Sequence, residues 1–205
     1  MSAIKPAPTA GRRTKLTVRV AFVLANAALA VVFIQQAVAP SLLSSASSSD
    51  ARHRALGEEN GYVPEGVTIF DAGVPAVANL DPALLNALRR AGTAAREDGV
   101  EFVVNSGWRS AAYQEELLSE AVAEYGSKEE AARWVATPDK SPHVSGHAID
   151  LGRDAAGWLS KHGGAYGLCQ IYANEAWHYE LRPDAVDHGC PVPYADPTHD
   201  PRGQL

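Results

Sequence analysis

The chain has 205 residues, 18 Lys+Arg against 24 Asp+Glu, 46% hydrophobic residues and two cysteines. That length holds one ordinary domain plus a tail, and the net charge of −6 lacks the basic excess of a nucleic-acid binder. Two cysteines exclude a four-cysteine zinc module and a disulfide-dense scaffold.

Charge divides the chain in two. Residues 1–39 carry Lys5, Arg12, Arg13, Lys15 and Arg19 and no acid, whereas the remainder carries 13 basic and 24 acidic residues. Val20 to Ser49 has no charged residue, and Val20 to Val38 is a mostly apolar run of 19 residues. That is marginal for the roughly 20 residues of a spanning helix. With basic residues before it, the run reads as a signal peptide or signal anchor with a cytoplasmic N-terminus. Ala37-Val38-Ala39 has the small side chains of a cleavage site, but Pro40 follows and favours an uncleaved anchor. We therefore expect a basic cytoplasmic segment (1–19), a transmembrane anchor or signal peptide (20–39), a Ser/Ala-rich linker (40–61) and a globular domain (62–205). The domain is expected outside the cytoplasm, held at the membrane or secreted if the signal is cleaved. In that oxidising setting Cys169 and Cys190 are either bridged, closing a loop of about 20 residues, or two separate thiols.

Within the domain, Asp81-Pro82 before Leu84, Leu85, Leu88, Ala91 and Ala95 predicts a helix, with Asp81 as N-cap and Gly99 as stop. Val100 to Val104 predicts a strand. Ser110 opens a second helix through about Tyr125, and Ser127 with Glu130 forms a capping box for a third reaching Val135. Gly146 to Leu151 predicts a strand, and Asp154 to Tyr166 a helical stretch broken at Gly163-Gly164. Leu168 to Tyr172 and Trp177 to Leu181 alternate as strands do. Helices first and most strands later indicate an α+β fold.

Residues with metal-ligand character gather in Ser141-Pro-His143-Val-Ser-Gly146-His147-Ala-Ile-Asp150 and in Glu175-Ala-Trp-His178. A catalytic zinc takes three N/O protein ligands and keeps a position open for water. His143, Asp150 and His178 supply that set, and Glu175 can serve as general base on the water. His147 sits four residues after His143, but a turn at Gly146 need not point both the same way. His53, His162, His188 and His199 read as surface or structural residues. Trp177 reads as a core side chain that fixes the loop holding His178.

Three blocks carry a resemblance: Ser106-Gly-Trp-Arg-Ser110, the 141–150 stretch, and Glu175-Ala-Trp177-His178. Their order and spacing resemble the SGYRS, SxHxxGxAxD and ExWH blocks of the zinc D-Ala-D-Ala peptidases, the VanY-type carboxypeptidases and VanX-type dipeptidases. The match covers roughly residues 62–182. The resemblance implies a single α+β domain with an antiparallel sheet, shared with the Hedgehog signalling domain. It implies zinc on His143, Asp150 and His178, Glu175 as catalytic base, and Arg109 stabilising the developing oxyanion. Ser141 would line the substrate site and Gln114 would lie near the substrate. Trp108 stands where the family usually has Tyr, and His147 is less usual in its block. The expected substrate is a peptidoglycan stem peptide ending in D-Ala-D-Ala, the expected state a monomer. An endopeptidase on the same polymer, or a non-catalytic zinc domain binding cell-wall peptides or a partner protein, are the alternatives.

Overall fold

The computed structural model describes residues 56–203. The membrane-targeting segment expected at 20–39 lies outside them, and no helix among the described residues is long and apolar enough to cross a membrane.

Helix α1 (Pro75–Ala78) leads into α2 (Pro82–Glu97). The Asp81 carboxylate accepts from the backbone N–H groups of Ala83 and Leu84, as an N-cap should, and α2 ends at Asp98 before Gly99 with φ 74°. Strand β1 (Val104–Ser106) starts later than expected, because the preceding residues pair elsewhere: Ile69 N–H donates to Phe102, and Thr68 bridges Val103. Helix α3 (Ala111–Tyr125) is capped by the Ser110 hydroxyl. Helix α4 (Lys128–Ala131) is one turn and does not reach Val135. Ser127 caps it, but the Glu130 carboxylate pairs with Arg133 instead of reaching back to complete a capping box. Strand β2 (Ala148–Leu151), helix α5 (Arg153–His162), strands β3 (Leu168–Gln170) and β4 (His178–Leu181), and helix α6 (Ala185–His188) complete the regular elements.

The four strands form one antiparallel sheet in the order β1-β2-β4-β3. The expected α+β class with an antiparallel sheet is what the chain adopts. Side chains alternate across a strand. Ile149, Leu151, Tyr179 and Leu168 join the main core with Leu84, Leu88, Ala91 and Ala95 of α2 and Ala155, Trp158 and Leu159 of α5. The intervening residues of β2 and β4, Asp150, His178 and Glu180, are buried and polar. The sheet thus has an apolar face under two helices and a polar set between those positions.

Cys169 and Cys190 are bridged, with Cα atoms 5.5 Å apart. The bridge ties the end of the chain to β3. By the loop-closure argument, the Cys169→Ala/Cys190→Ala variant should lose about 3 kcal/mol of unfolding free energy. Urea denaturation of the two proteins checks this. The folded region includes Asn60, whose carbonyl accepts from the Ser110 N–H at 2.9 Å and whose side-chain oxygen accepts from the Ser110 hydroxyl at 2.9 Å.

Candidate metal centre

Register assembles the site. On β2 and β4, Asp150 is the cross-strand partner of His178, and Ser106 of β1 is the partner of Asp150. His143 arrives from the loop before β2. That loop turns at Gly146, whose φ is 75° and whose hydrogen stands where a Cβ would lie 2.6 Å from the Asn79 carbonyl oxygen, so only glycine fits. The His143 loop is also tied to the Arg109 loop in both directions. His143 Nδ1 donates to the Gly107 carbonyl at 2.8 Å, and the Arg109 N–H donates to the His143 carbonyl at 3.3 Å.

Three potential ligand atoms face one another. Asp150 Oδ1 lies 3.1 Å from His178 Nδ1 and 3.4 Å from His143 Nε2, and the two nitrogens are 3.3 Å apart. Ligands about 2.0–2.1 Å from a tetrahedral zinc stand about 3.3 Å from one another. The triangle therefore has the size that ion requires. The second atoms of the ligands are already committed. With Nδ1–H of His143 spent on Gly107, its Nε2 lone pair is free for a metal. His178 has the opposite arrangement, because its Nε2 meets Glu180 Oε1 at 3.3 Å and leaves Nδ1 towards the centre. Asp150 Oδ2 accepts from Arg109 Nη2 at 3.0 Å.

The electrostatics follow from burial and partners. Burial, reinforced by the Arg109 charge, pushes the His143 imidazole below its usual value. Burial works against the charged form of Asp150, but the neighbouring His143 and His178 outweigh it and hold the carboxyl well below the usual carboxylate range. Burial likewise opposes charging His178, yet hydrogen bonds to Asp150 and Glu180 carry it up to about 9. Glu175 lies on the turn before β4, its carbonyl accepting the His178 N–H at 3.1 Å. Its Oε2 is 3.7 Å from His178 Nδ1, and its Oε1 is buried with no hydrogen-bond partner. Burial pushes this carboxyl up to about 7. A carboxyl oxygen left without a partner beside a ligand triangle is poised to meet a water.

Arg109 is held on three sides. Its Nε donates to Ser106 Oγ at 2.8 Å, Nη1 to Gln114 Oε1 at 2.9 Å and Nη2 to Asp150. Each terminal nitrogen keeps one further N–H, and the residue lines a cleft of about 360 Å³ shared with Glu175 and the three ligands. Ser141, buried, lines the same cleft. Gln114 lines it too, but both ends of its amide are engaged, since Nε2 donates to the Ala136 carbonyl at 2.8 Å. Its amide thus links Arg109 to the Ala136 carbonyl. Trp177 is not a core residue: it is 42% exposed and forms part of the cleft wall near Trp134 and Tyr125, which stack at 6.0 Å.

His147 points away from the centre, with Nδ1 3.0 Å from Ser145 Oγ. His162 lies against Trp158, His188 bonds the Asp184 carbonyl and His199 pairs with Asp196, as the structural reading expects; His53 lies outside the described residues. Sequence reasoning did not single out Ser106, Tyr172 or Glu180 at this site. The period of two did carry a signal for Glu180, because it places residues 178 and 180 on one side of β4.

A buried pair of histidines and a carboxylate, with a glutamate that keeps one oxygen unbonded and a clamped arginine, defines a mononuclear metal centre of the hydrolytic kind. The chain belongs to the VanY family, described as D-alanyl-D-alanine carboxypeptidase, which its residues 77–184 match. It is similar to a D-alanyl-D-alanine carboxypeptidase of Enterococcus faecalis (strain ATCC 700802 / V583), with 35% identity over 112 residues covering 42% of each protein. The chain thus spans less than half the length of that relative. Among solved structures it is similar to a mutant of the vancomycin resistance D,D-pentapeptidase VanY from a VanB-type cassette in complex with Zn(II). That match has 31% identity, 50% of this chain, 72% of the other and a TM-score of 0.47. VanYB in complex with D-alanine-D-alanine matches at 29% identity, 54% of this chain, 74% of the other and a TM-score of 0.49.

Proposed function

We propose that this protein is a zinc carboxypeptidase that removes the terminal D-alanine from peptidoglycan stem peptides. The observation that carries the reading is the ligand triangle with the buried Glu175 carboxylate beside it. Membership of the VanY family and the similarity to proteins named for D-alanyl-D-alanine carboxypeptidase activity support the substrate class.

His143 Nε2, Asp150 Oδ1 and His178 Nδ1 would hold the ion. A zinc so held polarises a carbonyl and lowers the pKa of water. Glu175 takes the proton of the attacking water and delivers it to the amine of the departing D-alanine. Its burial suits both roles, because a base works best with a pKa near the working pH. Arg109, fixed by Ser106, Gln114 and Asp150, directs its remaining N–H groups at the negative charge that grows on the scissile carbonyl oxygen. Arg109→Met should lower kcat by about 10²- to 10³-fold with zinc retained, which steady-state kinetics with parallel metal analysis checks.

We also propose that the domain works as a monomer outside the cytoplasm, tethered by or exported through residues 20–39. The substrate polymer lies there, and the Cys169–Cys190 bridge suits an oxidising compartment. The experiment that tests the function is metal removal and return. Chelation should abolish D-alanine release from a D-Ala-D-Ala pentapeptide, and stoichiometric zinc should restore it. Release that survives complete metal removal would refute the reading.

A further inference from the structure

Beyond the span matched by the family, the chain continues from the bridged Cys190 to a terminal segment that folds back on the metal centre. Tyr194 pairs with Ile171 and Ala173 through backbone hydrogen bonds. Asp196, buried, accepts from Arg133 Nε at 3.1 Å. The segment then delivers two groups to the neighbourhood of His178. Arg202 Nη1 donates to Glu180 Oε2 at 2.7 Å, and Asp200 Oδ2 accepts from the Tyr172 hydroxyl at 3.1 Å. Arg202 and Asp200 also pair with each other.

Both contacts lead to the same imidazole. Glu180 is 1% exposed, and its Oε1 stands 3.3 Å from His178 Nε2. Its Oε2 is occupied by Arg202 and by Arg182 Nη2 at 2.9 Å. Tyr172 lies against the His178 ring with centroids 4.9 Å apart. A carboxylate can only accept from an imidazole N–H, so Glu180 fixes the tautomer that leaves Nδ1 open. Such a partner also fixes the ring's orientation and raises the basicity of the ligating nitrogen.

We propose that Glu180 is a positioning residue for His178, and that the C-terminal segment sets it through Arg202. The metal centre of this chain is then completed from the end of the chain, outside the three sequence blocks that mark it. This inference rests on the reading of His143, Asp150 and His178 as metal ligands.

The test is the zinc affinity of the full chain, measured by competition with a chromophoric chelator at one fixed pH, together with the melting temperature of each metal-free variant. Glu180→Leu should weaken zinc binding by about 10- to 100-fold. Glu180→Gln, which keeps an acceptor, should recover much of the loss. Arg202→Met should weaken zinc binding in the same direction by less, since Arg182 still holds Glu180 Oε2, and Arg202→Lys should fall nearer the parent. A merely structural role would lower the metal-free melting temperature and leave zinc affinity unmoved. Parent-like affinity in folded Glu180→Leu and Arg202→Met proteins would overturn the proposal while leaving the ligand reading intact. A parent chain that binds no zinc would overturn the ligand reading, and this inference with it.

Discussion

Glu175→Gln should retain one zinc per chain and lose about 10² to 10⁴ in kcat. The substitution keeps the shape of the side chain and removes its ability to take a proton. Glu175 is not one of the three converging ligand atoms, so metal content should not change. Stability should not suffer either. Burial already pushes the carboxyl up to about 7, which means that its charge is costly where it stands. A neutral amide removes that cost and can still donate to or accept from a water. KM should move little, because the proton transfer belongs to the transition state and not to substrate binding. Steady-state kinetics on the zinc-loaded protein, with metal analysis of the same sample, checks all three points. Parent-like turnover with zinc bound would remove Glu175 from the chemistry.

His178→Ala should lose both zinc and activity. Structural zinc sites supply about 10–16 kcal/mol, so removal of one ligand among three or four costs on the order of 10²- to 10³-fold or more in affinity. The change here goes further than a missing ligand. Asp150 Oδ1 and Glu180 Oε1 both meet the His178 ring, and each would be left buried without it. The variant should therefore be less stable as well as metal-free, in contrast to Glu175→Gln. Metal analysis after passage over a weak chelating resin separates the two, and a stoichiometric zinc in His178→Ala would show that the ion sits elsewhere.

The cluster of candidate residues was largely legible in the sequence because it rests on rare residue types in short stretches. His143, Asp150, His178, Glu175 and Arg109 do converge on one cleft. Helix α2 was legible for a different reason: its cap, its apolar period and its terminal glycine all agree with one another. What escaped was set by contacts distant in sequence. The strand expected from Val100 starts at Val104, because the residues before it pair with the 67–69 stretch. The helix expected to reach Val135 stops at Ala131, and Arg133 just beyond it bonds Asp196, 63 residues away. Trp177 carries the composition of a core residue, and only the placement of the cleft makes it a wall. Gln114, read as a substrate neighbour, lines the cleft, and its bond to Arg109 is a contact that the sequence did not announce. The terminal segment has no period to read. Asp196, Asp200 and Arg202 are polar residues among prolines, and their partners lie on α4's flank and on the sheet.

The central claim is that the His143–Asp150–His178 centre removes one D-alanine from the end of a stem peptide. The most direct measurement incubates the full-length, zinc-loaded chain with a peptidoglycan pentapeptide ending in D-Ala-D-Ala and weighs the products by mass spectrometry. The account predicts a tetrapeptide and free alanine, in equal amounts, from the parent and none from Glu175→Gln. An intact pentapeptide with zinc confirmed in the protein, or fragments from an internal cut, would contradict it.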